Sequence, residues 1–121
     1  MADETNVIPY DVEYSDPDFD FEQCRIAAEA GHAQAQDSLG NCYKQGWHAK
    51  KDFKTAVLWY EKAAAQGNAA AQRSLGYCYE FGQGVKKDME KAAVLYEQGA
   101  NGGDPDAQRN IATCYKRGEG V

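Results

Sequence analysis

The chain matches itself when slid by 36 residues, and that self-match restricts it to a tandem-repeat architecture. Gly31, Gly67 and Gly103 fall in one register, as do Gln36, Gln72 and Gln108, and Cys42, Cys78 and Cys114. Tyr43, Tyr79 and Tyr115 follow, then Gly46, Gly82 and Gly118. Asp52 pairs with Asp88, Ala56 with Ala92 and Tyr60 with Tyr96. Roughly 28 of 62 aligned pairs are identical, against about one in fifteen by chance, which fixes the period. A unit of this length buries too little alone, so its stability must come from stacking on neighbours.

Each period is helical twice. In AAAQRSLGYCYEFG the small or apolar residues Ala71, Leu75, Cys78, Tyr79 and Gly82 recur at the spacing of one helix face. Ala56, Tyr60, Ala63, Ala64 and Gly67 form the matching stripe in KTAVLWYEKAAAQG. Asp16, Asp52, Asp88 and Asp104 stand where a carboxylate can accept from the first free N–H groups of a helix. Pro17 and Pro105 then fall at the first helical position, where a missing N–H costs nothing. Gly31, Gly67 and Gly103 stand at the ends, where a left-handed residue closes a helix. These signals predict six helices, at about 17–30, 33–45, 53–66, 69–81, 89–101 and 105–117, and no strand.

The implied organisation is an acidic, extended segment over 1–15 followed by a repeat domain over 16–121. That domain divides into a half-repeat at 16–32, repeats at 33–68 and 69–104, and a partial repeat at 105–121. Gly40 and Gly76 lie mid-helix, where glycine costs roughly 1 kcal/mol relative to alanine. Their shared register predicts a backbone that a neighbour must approach closely. Trp59, Tyr60, Tyr79, Tyr96 and Tyr115 are expected to bridge successive helices.

Charge separates the two parts. The first 22 residues hold eight acids and no base, while the chain as a whole has 19 acids, 13 bases and a net charge of −6. The remainder is therefore about +2 (13 bases against 19 − 8 = 11 acids). This balance argues against sequence-independent nucleic-acid binding, which needs a basic footprint. No run is long and apolar enough to span a bilayer, and MADETNVIPY lacks the basic and apolar regions of a secretory signal. A cytoplasmic location is expected.

The run WYEKAAAQGNAAAQRSLGYCYEFGQGVKKDMEKA resembles the Sel1-like repeat, a relative of the tetratricopeptide repeat. The resemblance covers about 17–121 and rests on AAAQG, AAQ, LGYCY, the GQGV loop and the following Asp and Lys-Ala. It implies an all-α, right-handed solenoid of antiparallel helix pairs with a concave inner surface, used as an adaptor or scaffold for protein–protein interaction. The sequence departs from the pattern at Trp47-His48-Ala49, which replaces the G-x-G-V loop, at Gly99, which stands where Ala63 does, and at Ala112, which replaces the mid-helix glycine. Disulfide-stapled members pair cysteines across the two helices of a repeat; here the equivalent positions are Ala or Gln.

Catalytic chemistry is not legible. Cys24, Cys42, Cys78 and Cys114 include no C-x₂-C pair, and His32 and His48 lie in or beside turns without a ligand array. No nucleophile elbow and no phosphate-cradling lysine motif is present. No metal, cofactor or enzymatic activity is expected. Three of the thiols share an apolar register and are expected to be buried and reduced. Only Cys24 and Cys42 lie on neighbouring helices in a way that makes a pairing conceivable.

Binding is the remaining reading. With Leu39, Leu75 and Ile111 as the common reference, the resemblance implies an exposed inner stripe. Its members are Asp37, Asn41, Lys44 and Gln45, then Arg73, Tyr77, Glu80 and Phe81, then Arg109, Thr113, Lys116 and Arg117. These positions vary where the core register does not. The expected ligand is a protein or peptide, acidic and carrying aromatics, and residues 1–15 have that composition themselves. Self-association through the N-terminal segment, or through Ile111, Cys114 and Tyr115 on the last helix, is also expected. The competing reading is a regulatory or targeting piece of a larger, possibly enzymatic, protein.

Overall fold

A computed structural model describes residues 19–121. The helix expected from Asp16 and Pro17 and the extended segment 1–15 therefore fall wholly or partly outside the described residues. Six helices follow one another: α1 Phe21–Glu29, α2 Ala33–Gln45, α3 Phe53–Ala65, α4 Ala69–Phe81, α5 Met89–Asn101 and α6 Pro105–Arg117. The described residues contain no strand. Each helix packs on the next in the chain, and α4 also touches α6. The result is an all-helical solenoid.

Local chemistry sets the ends. Asp52, Asp88 and Asp104 accept from the backbone N–H groups of Thr55, Lys91 and Ala107, and Asn68 does the same for Ala71. Gln36, Gln72 and Gln108 each donate back to a carbonyl at the end of the preceding helix, that of Ala28, Ala64 or Ala100. One side chain per repeat thus adds a second donor to a carbonyl that already accepts from the closing glycine's N–H.

The core sits in three clusters that are translations of one another. Leu39 and Cys42 in the first cluster correspond to Leu75 and Cys78 in the second; Tyr60 there corresponds to Tyr96 in the third, which also holds Cys114. Tyr60 and Tyr96 are fully buried, and the two mid-helix glycines explain how. A Cβ on Gly40 would stand 2.6 Å from the Tyr60 ring, and one on Gly76 would stand 2.9 Å from the Tyr96 ring. The Tyr60 ring on α3 thus lies directly on the backbone of α2, and the Tyr96 ring on α5 on that of α4. Gly99 is explained similarly: a Cβ there would meet Ala107 and the Ala69 carbonyl oxygen, each at 3.0 Å.

Two expectations need correction. The first helix begins at Phe21, one turn later than expected, because Asp20 supplies the cap and accepts from Gln23 N–H. Tyr115 joins α6 to α5 as expected, its hydroxyl donating to Glu97 Oε1 at 3.5 Å, while its ring is 59% exposed. Cys114 is buried and Ile111 is partly buried against α5, so the outer face of α6 presents Tyr115 and Ala112 rather than an apolar stripe of all three.

The Trp47-His48-Ala49 loop keeps the backbone of the glycine loops that follow it. Gly84 (φ 75°) and Gly120 (φ 75°) stand where a Cβ would collide with the first carbonyl of α3 and of α5, at Phe53 and Met89 respectively. His48 keeps the same left-handed backbone, φ 66°. Its ring centroid lies 5.3 Å from that of Phe19 and 6.4 Å from that of Phe21. The loop thus keeps its left-handed backbone with a histidine in place of glycine, and the ring of that histidine lies against Phe19 and Phe21.

Candidate functional site

The residues of the expected inner stripe lie on α2, α4 and α6, and the structure divides them into distinct groups. Asn41 and Glu80 hold the core: the Tyr60 hydroxyl donates to Asn41 Oδ1 at 2.5 Å and the Tyr96 hydroxyl to Glu80 Oε1 at 2.6 Å. Each buried tyrosine therefore finds an acceptor at its polar tip. Arg73 reaches across to α6, where its Nε donates to Asp104 Oδ2 at 3.0 Å while the same oxygen caps Ala107 N–H. Thr113 donates back to the Arg109 carbonyl within its own helix, and Arg109 pairs with Asp106.

Lys44, Tyr77 and Phe81 come together. The Lys44 ammonium stands 4.2 Å from the centre of the Tyr77 ring, and the rings of Tyr77 and Phe81 are 4.5 Å apart. Both rings are exposed, at 38% and 54%, so this is apolar area held rigid at the surface. Such a cation over an aromatic face contributes about 0.5–1 kcal/mol when exposed. Arg109, Lys116 and Arg117 extend the face along α6 as exposed cations.

Asp37 departs from its expected role as an exposed groove residue. It is only partly exposed, and its Oδ1 is buried without a hydrogen-bond partner. Burial pushes its carboxyl up to about 6, with Asp104 adding to the rise while Arg73 and Lys44 oppose it. Burial also lowers the Lys44 ammonium from its ordinary value. Asp37 has Arg73 and Arg109 as its repeat equivalents, so the first unit places an acid where the others place a guanidinium.

No thiol is poised for chemistry. All four cysteines are buried and free. Burial raises Cys24 to about 11, Cys42 to about 12 and Cys78 to about 11, and it raises Cys114 as well. A thiol that resists ionisation is a poor nucleophile and a poor metal ligand. Among the described residues no group of three His, Cys, Asp or Glu side chains could hold a metal ion. None of the described helices is long and apolar enough to cross a membrane.

The Sel1 repeat family matches residues 33–68, 69–104 and 105–121, and the chain belongs to that family. A Sel1 repeat protein from Oxalobacter formigenes is 37% identical, with a TM-score of 0.78 over 84% of this chain and 41% of that one. The protective antigen c5321 of uropathogenic Escherichia coli, which displays an SLR fold, is 39% identical, with a TM-score of 0.81 over 86% of this chain and 22% of that one. Helicobacter pylori cysteine rich protein B is 30% identical, with a TM-score of 0.68 over 72% of this chain and 65% of its own length. This chain thus spans less than two thirds of each of these proteins. No curated protein sequence matches it. Sel1-repeat proteins are generally protein-interaction scaffolds.

Proposed function

We propose that this chain is a non-enzymatic adaptor that binds an acidic, aromatic-containing peptide along the face shared by α2, α4 and α6. The observation that supports this reading is the Lys44–Tyr77–Phe81 cluster, two exposed rings capped by a cation. Aromatic and arginine side chains dominate binding hot spots, and this face carries both. Arg109, Lys116 and Arg117 supply complementary charge; Arg73, tied to Asp104, positions the surface. The reading places the chain in the cytoplasm, where four buried thiols stay reduced.

The test is calorimetric titration of the full chain with the peptide VIPYDVEYSD, which reproduces residues 7–16. Binding is expected to weaken as salt rises, since exposed charges are screened beyond about 8–10 Å near physiological ionic strength. The paired substitution Tyr77→Ala, Phe81→Ala should weaken it at least about tenfold, or roughly 1.4 kcal/mol. Salt-independent binding, or equal affinity for the substituted chain, would move the interaction off this face.

A further inference from the structure

The second repeat leaves a hollow where the first holds an indole. Trp59 packs on the cluster that contains Leu39, with Tyr43 beside it, and the Lys62 ammonium stands 5.8 Å from its ring. One period later Leu39 and Tyr43 recur as Leu75 and Tyr79, but Trp59 is replaced by Leu95. At that position a cleft of about 380 Å³ opens, walled by Leu75, Tyr79, Val94 and Leu95 with Glu90 and Gln98 at its edge. Its size falls within the roughly 300–1,000 Å³ of ligand-binding clefts.

The cleft is separate from the inner face. Leu75 and Tyr79 lie two residues either side of Tyr77, about 200° around α4, so they point away from the Tyr77–Phe81 pair. A neighbouring polar hollow shares Tyr79 and Lys91 with the cleft and adds Lys86 and Lys87. Asp88, also there, is engaged as the cap of α5. An apolar slot thus adjoins three lysines that are all exposed.

We infer that this cleft is a second docking site, which receives an aromatic side chain carried on an acidic peptide of a partner protein. The ring takes the place that Trp59 fills one repeat earlier, and flanking carboxylates face Lys86, Lys87 and Lys91. Both halves of the ligand are read from the molecule: the ring from the filled copy of the site, the charge from the lysines. The inference is independent of the inner-face reading.

The experiment measures anisotropy of the fluorescein-labelled peptides DEWDE and DEADE titrated into the full chain. DEWDE is expected to bind at least about tenfold more tightly than DEADE. Made in the Tyr77→Ala, Phe81→Ala chain, whose inner face no longer contributes, Leu95→Trp, which restores the residue type of the filled repeat, should abolish that preference while the far-UV spectrum stays helical. Val94→Glu, at a position 57% exposed, should abolish it too without disturbing the core. The Tyr77→Ala, Phe81→Ala chain should retain it. Absent binding, equal binding of the two peptides, or a preference that survives both cleft substitutions in the Tyr77→Ala, Phe81→Ala chain would overturn the inference. A preference lost only in the Tyr77→Ala, Phe81→Ala chain would overturn it as well and assign the peptide to the inner face.

Discussion

On α4, the side carrying Ala71, Gly76 and Cys78 duplicates the side of α2 that carries Ala35, Gly40 and Cys42. The opposite side does not: Arg73, Tyr77, Glu80 and Phe81 stand in the places of Asp37, Asn41, Lys44 and Gln45. The duplicated side is fixed by contact distances, since a methyl group at Gly40 or Gly76 would overlap a tyrosine ring. The other side meets no such wall, so its residues can differ between units while the backbone stays the same. Variation there is not pure freedom, because Asn41 and Glu80 perform one task with different chemistry. Each accepts from a buried tyrosine hydroxyl.

The strongest way to break this comparison is on the duplicated side. Tyr96→Ala empties a fully buried aromatic site and should cost about 3–5 kcal/mol in denaturant unfolding. A loss under about 1 kcal/mol would mean that the tyrosine–glycine contact is not what joins α4 to α5. Next comes the loop glycine. Gly84→Ala places a Cβ 2.6 Å from the Phe53 carbonyl oxygen in a left-handed backbone, and about 2 kcal/mol of destabilisation is expected from conformation and collision together. A neutral result would mean that neither the left-handed backbone nor the Phe53 contact requires glycine at this position.

A smaller effect, of opposite sign, belongs to the variable side. Asp37 has a folded-state value raised to about 6 from 3.8, so between those values the folded protein holds the proton that the unfolded chain has released. Stability contributed at this site therefore falls as pH rises from about 4 to 6, and the penalty is complete above that window. Asp37→Asn should stabilise the protein by about 1–2 kcal/mol at pH 7.5 and by nothing near pH 3.5. Unfolding curves at the two pH values decide it; equal shifts at both would show that the carboxyl is not strained by burial among Lys44, Arg73 and Asp104. The smallest effect on stability is expected from Tyr77→Ala with Phe81→Ala, below about 0.5 kcal/mol for each exposed ring. A larger loss would make these rings part of the scaffold.

Five of the six helices were legible to within one residue because their boundaries are set locally, by Asp52, Asp88, Asp104 and the closing glycines. The first was not. Asp16 and Asp20 are both competent caps, and the structure uses Asp20, with Phe19 buried and the His48 ring beside it. The Phe19 and Phe21 rings that flank this cap lie against His48, a contact that no local signal contains. The stripe of α2, α4 and α6 was legible as a set of positions. The partners of its side chains were not, because the contacts of Arg73 with Asp104 and of Lys44 with Tyr77 join different helices.

The sequence by itself determined the period, the helices and the core register, because each rests on spacing and on side-chain size at fixed offsets. The tertiary structure alone decided which of the repeated positions are equivalent in effect. Tyr79 is packed between two clusters while Tyr115 is exposed, and Trp59 fills a space that Leu95 leaves open. Asp37 lies under desolvation although its sequence neighbourhood is polar. Burial is a property of what lies across a contact, and in a solenoid what lies across is always the next unit.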